Sequence, residues 1–218
     1  MIDWHPELSY PKSGNDRGIP AIGHPSGQPV AEGRDTMAVR LIGGLSKGRL
    51  LHVPKGSDIR PTSGVIRRAL FSMLTPFIEG AAVLDLFAGT GALGIEAISR
   101  GASTADFIEQ NPRQCAAIRG SLSSLGYSTQ GRVRALSVQK VVSAADKAYD
   151  LIFLDPPYKM ENLEGLLENI ADSKLISNKT VVAVEHPSRN PLKKTYGSMG
   201  LIKERRYGDG SLSIYQNE

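Results

Sequence analysis

The chain has 218 residues, of which 40% are hydrophobic and 22% are charged, and it carries a formal net charge of +4. This length allows one large core or at most two domains, and the composition is typical of a soluble globular protein. The sequence shows neither an apolar stretch of roughly 20 residues nor the pattern of a secretory signal, and its single cysteine, Cys115, excludes an internal disulfide. These features predict a cytoplasmic protein without a membrane role.

The first 36 residues differ in composition from the rest of the chain. Residues 1–36 contain five prolines, three basic residues and five acidic residues, without apolar periodicity. They predict a disordered leader that does not carry the function. The basic excess therefore belongs to the remainder of the protein. Met37 starts the ordered-looking sequence MAVRLIGG, and we hypothesise that it is the natural start or the domain boundary.

Residues 37–60 predict a small N-terminal hairpin subdomain. The segments AVRLIGG and GRLLHVP flank LSK, which places Lys47 and Arg49 near the turn. From Arg40 to Arg68 the chain has seven basic residues and one acidic residue. Such a concentration of positive charge is typical of a surface that binds a nucleic-acid backbone, and equally of a solvated basic face.

The next element is an amphipathic helix. Apolar residues at positions 65, 66, 69, 70, 73, 74, 77 and 78 follow the helical period, and Thr62 or Ser63 can cap its start. Pro76 is expected to end or kink this helix. Three polar residues are expected on its exposed face: Arg67, Arg68 and Ser72.

From residue 82 onward, strand and helix patterns alternate. Strands are predicted at VLDLFA, ADFIE, RVRAL, YDLIFLD and TVVAVEH, and LIKERRYGDGSLSIYQ predicts a closing hairpin. Helices are predicted at ALGIEAISRG, after Asn111-Pro112, and at ENLEGLLENIADSKL. Residues 61–218 thus predict an α/β domain with a mostly parallel seven-stranded sheet, helices on both faces and a C-terminal antiparallel hairpin. Ligands are expected at the carboxyl ends of the strands.

A glycine-rich turn follows the first of these strands. In VLDLFAGTGALG, Gly89, Gly91 and Gly94 have the spacing G-x-G-x-x-G between a strand and a helix. Glu109 ends the next strand, where an acid can bind ribose hydroxyls. This context predicts nucleotide binding without naming the nucleotide: a nicotinamide or flavin cofactor and another adenosine compound both remain open. Turns of this kind also serve only to pack a helix on a sheet.

Asp85 narrows the choice of nucleotide. It lies inside the strand, where a structural role favours an apolar residue, and a buried carboxylate needs a partner. The pattern D-x-F-x-G-x-G, which includes Phe87, resembles motif I of class I S-adenosylmethionine (AdoMet) methyltransferases. The resemblance implies that the acid organises the loop and the amino-acid end of AdoMet. A cap on nearby backbone amides is the structural alternative.

The sequence Asp155-Pro156-Pro157-Tyr158 follows the strand YDLIFLD and is predicted to be catalytic. The prolines fix the backbone and aim the Pro156 carbonyl rigidly. Two oxygen acceptors and an aromatic ring suit a planar base with an exocyclic amino group. Hydrogen bonds to the acceptors would favour positive charge on the amine nitrogen and direct its lone pair at a methyl sulfonium. No metal is required.

The order of these motifs is similar to that of the amino methyltransferases of DNA, RNA and protein glutamine. In addition, G-G-x-x-K-G-R-x-L from Gly43 to Leu51 and Arg60-Pro61-Thr62 resemble the RsmD family of 16S rRNA guanine-N2 methyltransferases, over about residues 39–215. The resemblance implies a Rossmann-like class I methyltransferase fold, AdoMet as cofactor, and methylation of one guanine of 16S ribosomal RNA within an assembling small subunit. We also expect a monomer.

The same resemblance assigns further residues. It places Thr62 near the methionine end of AdoMet and Arg60 near the cofactor or RNA, and it makes the hairpin an RNA-binding element. The expected cofactor-binding residues are Thr62, Asp85, Phe87, Gly89, Gly91, Glu109 and Ser137. The expected RNA-binding residues are Lys47, Arg49, Arg60, Arg67 and Arg68.

Ser137 marks a departure from the family pattern. An Asp or Asn often follows the third strand to bind the adenine amino group, whereas RVRALSVQ makes Ser137 the nearest candidate. A helix cap is an equal alternative for this hydroxyl.

Four other functions fit the sequence less well. A nicotinamide oxidoreductase leaves Asp155 to Tyr158 unexplained. A DNA adenine-N6 methyltransferase usually needs an extra target-recognition segment, and a protein-glutamine methyltransferase typically has Asn in place of Asp155. A non-catalytic RNA-binding assembly factor is disfavoured by the intact tetrapeptide.

Overall fold

The computed structural model describes residues 39–54 and 63–217. The predicted leader, with the hypothesised boundary at Met37, lies outside the described residues. So do Arg60 and Thr62, to which the sequence assigns cofactor or RNA contacts. Within the described residues, no helix has the length and apolarity that a membrane crossing requires.

The central sheet confirms the predicted α/β class. Its strands are β3 (Ala82–Leu86), β4 (Thr104–Ile108), β5 (Gly131–Arg134), β6 (Leu151–Leu154), β7 (Val181–Pro187), β8 (Thr195–Tyr196), β9 (Met199–Tyr207) and β10 (Gly210–Asn217). Their spatial order is β5-β4-β3-β6-β7-β10-β9-β8. Strands β3 to β7 are parallel, and β10 runs antiparallel to both β7 and β9. The seven expected strands are present, and β8 adds a two-residue edge strand.

In the part of the chain that the structure describes, five helices connect or flank these strands. They are α1 (Gly64–Leu74), α2 (Ala92–Ser99), α3 (Pro112–Leu125), α4 (Val138–Ser143) and α5 (Leu163–Ala171). Ser63 caps α1 by accepting from the Ile66 amide at 3.2 Å, as predicted. Pro76 lies in the 3-10 turn that follows α1, because proline cannot continue the helical hydrogen bonds. Helix α4 was anticipated only through the alternative role of Ser137 as a helix cap, since six residues are too few to show a helical period.

The sheet is covered on both faces. Residues of β3 alternate between two cores: Val83 packs with α1, α2 and α3, whereas Leu84 and Leu86 pack with α4 and α5. Asp85 shares the face of Val83, so its carboxylate points toward the helices that begin after the glycine loop. The apolar alternation along the strand therefore fixes the side on which this acid acts.

The N-terminal hairpin is confirmed as two short strands, β1 (Val39–Arg40) and β2 (Leu50–Leu51). Its loop lies on the C-terminal end of α2, where the Ser99 hydroxyl donates to the Gly43 carbonyl at 2.9 Å and the Leu45 amide donates to the Ser99 carbonyl at 2.7 Å. Gly44 has a φ of +75°, and a Cβ there would lie 1.9 Å from the Ser99 carbonyl oxygen. The two glycines of the motif thus allow close contact with α2.

The structure corrects one prediction about α1. Arg67 was expected on the exposed face, but it is only 4% exposed, and its guanidinium donates to the Arg40 carbonyl at 2.6 Å. Burial lowers the pKa of Arg67, and the Glu96 carboxylate partly opposes this effect. The hairpin covers this side of the helix, which apolar periodicity alone does not show. The predicted exposure of Arg67 is therefore wrong, and its burial argues against the expected RNA contact, whereas Arg68 and Ser72 are exposed as expected.

Candidate active site

The register of the parallel strands brings the predicted site residues to one edge of the sheet. Strand β3 pairs with β4 and β6, and β6 pairs with β7, with Leu86, Ile108, Leu154 and Val184 at corresponding positions. The next residues along these strands therefore lie side by side: Glu109, Phe87, Asp155 and Glu185. We call this the carboxyl edge of the sheet. The glycine loop and the tetrapeptide are neighbours there although 70 residues separate Asp85 from Asp155.

Asp85 anchors the start of α2. Its side chain is 1% exposed, and its Oδ2 accepts from the Gly94 amide at 2.9 Å. Gly91, the N-cap position of α2, has no side chain to accept such a bond, so the strand supplies the cap instead. Burial raises the pKa of Asp85 to about 7, the Gly94 hydrogen bond opposes the shift, and the nearby charges of Asp155 and Glu109 add to it.

The glycine loop is held in an unusual backbone conformation. Gly89 and Gly91 have φ angles of 54° and 75°, and Phe87 has a φ of 63° although it is not glycine. Such a conformation costs an ordinary residue about 1–3 kcal/mol and is concentrated at functional sites. Glu109 braces the loop: its carboxylate accepts from the Gly89 amide at 2.9 Å and from the Asn111 amide at 2.7 Å.

The third glycine of the motif has a packing role. A Cβ on Gly94 would lie 2.4 Å from the ring of Phe107 in β4, so α2 could not rest at this distance from the sheet. The turn-forming role and the packing role of the motif therefore belong to different glycines. Gly89 and Gly91 shape the turn, whereas Gly94 sets the contact between helix and sheet.

A cavity of about 230 Å³ opens beyond the ends of β4 and β5. Its lining residues are Gln110, Ala135, Leu136, Ser137 and Lys140. This volume is below the roughly 300–1,000 Å³ of pockets for drug-sized ligands, so it suits one part of a cofactor, such as its base. Ser137 lines the cavity and also caps α4 by accepting from the Lys140 amide at 3.3 Å. The sequence pointed to Ser137 alone; Gln110 and Lys140 were missed because they become neighbours only in the fold.

The tetrapeptide leaves β6 as a rigid turn. Asp155 is half-buried, Pro156 is buried, and the Met160 amide donates to the Pro157 carbonyl at 2.8 Å. The Tyr158 ring is 42% exposed, and its hydroxyl donates to Glu185 Oε1 at 3.1 Å. An exposed ring held by its hydroxyl can offer a flat surface for stacking. Glu185 was not predicted, although an acid within the apolar segment TVVAVEH is a visible signal.

Some of the predicted RNA-binding residues lie away from the carboxyl edge. Lys47 and Arg49 are exposed on the hairpin loop, at the opposite end of α2 from the glycine loop. An eight-residue helix spans about 12 Å. Arg49 also donates to the Ser124 carbonyl at 3.2 Å, which ties it to α3. Arg68 is exposed on the first half of α1, and its guanidinium lies 3.8 Å from the position of a Cβ on Gly64, at the start of the helix.

Comparison with known proteins identifies the family to which the chain is similar. The family model described as conserved hypothetical protein 95 matches residues 39–216. Ribosomal RNA small subunit methyltransferase D of Escherichia coli is 32% identical over 182 residues, which cover 83% of this chain and 90% of that protein. YlbH of Bacillus subtilis, named as an rRNA methyltransferase, is 32% identical over 82% of this chain and 98% of its own.

A solved structure agrees with this assignment. The structure of yhhF from Escherichia coli, named as a methyltransferase, matches with a TM-score of 0.76 and 30% identity, over 83% of this chain and 98% of that one. The chain therefore belongs to the conserved hypothetical protein 95 family, the RsmD family, together with ribosomal RNA small subunit methyltransferase D.

Proposed function

We propose that this enzyme transfers the methyl group of AdoMet to the exocyclic N2 amino group of one guanine in 16S ribosomal RNA. One observation carries the proposal: Asp155 to Tyr158 lie beside the glycine loop, on the adjacent strand of the same sheet edge. A loop that can seat a nucleoside and a turn that can hold an amino-bearing base are therefore close enough to serve one reaction. The names of the family members support the same activity.

The residues of the carboxyl edge fit AdoMet. Gly89 and Gly91 let the backbone of the loop come close to a nucleoside, although their own amides donate to Glu109 and to the Ala88 carbonyl. Glu109 is placed for the ribose hydroxyls. The cavity at Ser137 suits the adenine base, with Gln110 and Lys140 as additional lining groups. Asp85, through its bond to Gly94, and Phe87 shape the loop near the amino-acid end, and Thr62 belongs to the same end by family resemblance. Bound AdoMet supplies an electrophilic methyl group on a sulfonium.

The tetrapeptide then prepares the nucleophile. The Asp155 carboxylate and the Pro156 carbonyl accept hydrogen bonds from the two N–H groups of the guanine amine. Pro157 keeps the turn rigid, and Tyr158 stacks on the base. These bonds favour the positive charge that develops on nitrogen as the N–C bond forms and the S–C bond breaks. The surplus proton on nitrogen passes to Asp155 and then to water. Catalysis consists of orientation and charge stabilisation, without a covalent enzyme intermediate.

The RNA must offer an accessible amine. Stacked duplex geometry hides the guanine N2 group, so we expect the target guanine to be flipped into the site. Lys47, Arg49, Arg60 and Arg68 are proposed to bind RNA phosphates, whose contribution to affinity falls with salt concentration. The substrate is proposed to be an assembling small subunit in the cytoplasm, and the enzyme is proposed to act as a monomer.

The test is a methylation assay with mapping of the product. The full-length protein is incubated with labelled AdoMet and small ribosomal subunits that lack the modification, and the labelled nucleoside is identified. We expect one N2-methylguanine in 16S rRNA. Label on adenine N6, in DNA or in protein would contradict the proposed target, and absence of AdoMet binding would contradict the enzyme class.

A further inference from the structure

We propose that a second basic surface, formed by Arg68 of α1 with Lys203 and Arg205 of β9, binds the RNA phosphates that flank the target guanine. We call it the α1–β9 surface. Lys203 and Arg205 lie outside every motif that identified the family. The inference rests on the proposed function, because it concerns how the same RNA substrate is held at the carboxyl edge.

Strand register sets the direction of the two β9 side chains. Lys203 pairs with Ile214, and Arg205 pairs with Leu212. Both partners belong to the core beneath α1, and directly opposed residues of neighbouring strands share one face. Lys203 and Arg205 therefore project from the face that carries α1. Both are exposed, so the helix does not extend over them.

The surface adjoins the tetrapeptide. Strand β9 ends at Tyr207, whose partner is Gly210. A Cβ on Gly210 would lie 3.0 Å from the Tyr158 hydroxyl oxygen and 3.4 Å from Ile66 Cδ1 in the first turn of α1. The end of β9, the start of α1 and Tyr158 thus meet at one place. Arg205 lies two residues from this junction, about 7 Å along the strand.

Charge on this surface has one sign. The sequence of α1, GVIRRALFSML, contains no acid. The single acid of β9, Glu204, pairs with Ser213 on the opposite face, and its Oε1 accepts from the Ser213 hydroxyl at 3.5 Å. Within the described residues, none of the ion pairs includes Arg68, Lys203 or Arg205. Three exposed cations beside a proposed RNA site complement the phosphates of its substrate.

Protection of a sheet edge is the competing explanation for charge on β9. Within the described chain, β8 pairs with Met199 and Gly200 only, which leaves the rest of β9 at the edge. Lysine and arginine on an edge discourage strand addition. Edge protection works with either sign of charge and on either face, whereas phosphate binding requires positive charge on the face that meets the RNA. A charge-reversal experiment separates the two roles.

The experiment compares K203E/R205E with R206E, which alters an exposed neighbour whose partner, Ser211, faces the other side. Binding of transcribed 16S rRNA is measured for each full-length variant across salt concentrations, and AdoMet binding is measured by calorimetry to verify folding. We expect K203E/R205E to raise the RNA Kd about tenfold or more and to reduce the salt slope by about one for each lost contact. R206E should stay within about twofold of the wild type.

A third variant keeps the test decisive if the double substitution disturbs the sheet. R68E changes the same surface from α1 and should weaken RNA binding severalfold with AdoMet binding intact. Equal Kd values and salt slopes for wild type, K203E/R205E and R68E would overturn the inference while wild-type methylation still supported the proposed function. A wild-type protein that bound no RNA would overturn both.

Discussion

Two glycine-rich segments at opposite ends of α2 use glycine for different physical reasons. At the N-terminal end of α2, Gly89 and Gly91 form a turn with positive φ angles, braced by Glu109. At the C-terminal end, Gly43 and Gly44 lie against Ser99 and Arg100 so closely that any side chain would overlap them. The first segment needs glycine mainly for its backbone conformation, and the second needs it for close contact between two protein elements.

The difference between the two segments shows that a family motif can contain residues for packing as well as residues for function. The hairpin motif G-G-x-x-K-G-R-x-L contains both packing residues and exposed cations, and the structure ties the glycines to α2. The spacing of the motif therefore concerns packing of the hairpin on α2 as well as the proposed RNA contacts. The carboxyl edge, by contrast, concentrates acids, strained backbone and an exposed aromatic ring, to which we assign the proposed chemistry.

The largest expected effect on the methylation rate comes from Asp155, and Asp150 at the other end of β6 supplies the control. Asp155→Ala should lower the methylation rate by at least about a hundredfold, because the amine loses a charged acceptor, and should leave AdoMet binding nearly intact. Asp150→Ala at the other end of the strand removes the acceptor of the Ala82 amide, a 2.8 Å bond, and should cost only stability. Single-turnover assays and calorimetry measure both. Normal turnover of Asp155→Ala would refute the assigned role.

The packing role of the hairpin glycines is tested by unfolding. Gly44→Ala adds both a strained φ and a clash with Ser99, so it should lower the free energy of unfolding by roughly 3 kcal/mol. Gly48→Ala is the matched control: its φ of +85° is similar, but nothing lies within 4 Å of a Cβ there. It should cost about 1 kcal/mol. Equal urea midpoints for the two variants would remove the clash from the explanation.

Much of this architecture follows from local sequence. The alternation of strands and helices, the caps at Ser63 and Asn111, and the adjacency of Asp85 and Asp155 depend on patterns within short segments and on parallel pairing. Arg67 was misplaced because its burial depends on the hairpin, a tertiary contact with no periodic signal. The partnership of Tyr158 with Glu185 likewise depends on strand order, which no single segment encodes.

Asp85 allows a pH test of the carboxyl edge. Burial raises its pKa from 3.8 to about 7, so below that pH the free protein holds it protonated. The ammonium and sulfonium of AdoMet should favour the ionised form, so affinity should rise, by up to about tenfold per unit, as pH increases toward 7 and then level off. Calorimetry in buffers of different ionisation enthalpy should show proton release near pH 6.5.

Asp85→Asn supplies the control for this dependence. The amide oxygen can still accept from Gly94, but it does not titrate, so the affinity of the variant should be flat between pH 6 and 8. Stability should change in the opposite sense: a raised folded-state pKa means that wild type loses stability relative to Asp85→Asn as pH rises from about 4 to 7. A wild-type affinity independent of pH would show that AdoMet binding is not coupled to this proton.

The smallest expected effect concerns the hairpin cations. Lys47 and Arg49 lie on the hairpin loop at the C-terminal end of α2, so we expect them to attract RNA without positioning the target base. Charge reversal at both should raise the RNA Kd about threefold and lower the salt slope by about one, with the methylation rate at saturating RNA unchanged. K203E/R205E provides the contrast, since loss of contacts beside Tyr158 should also slow methylation. A change in affinity alone alters only the RNA concentration needed for saturation. A lower methylation rate of the hairpin variant at saturating RNA would therefore mean that RNA bound at the hairpin helps to position the guanine.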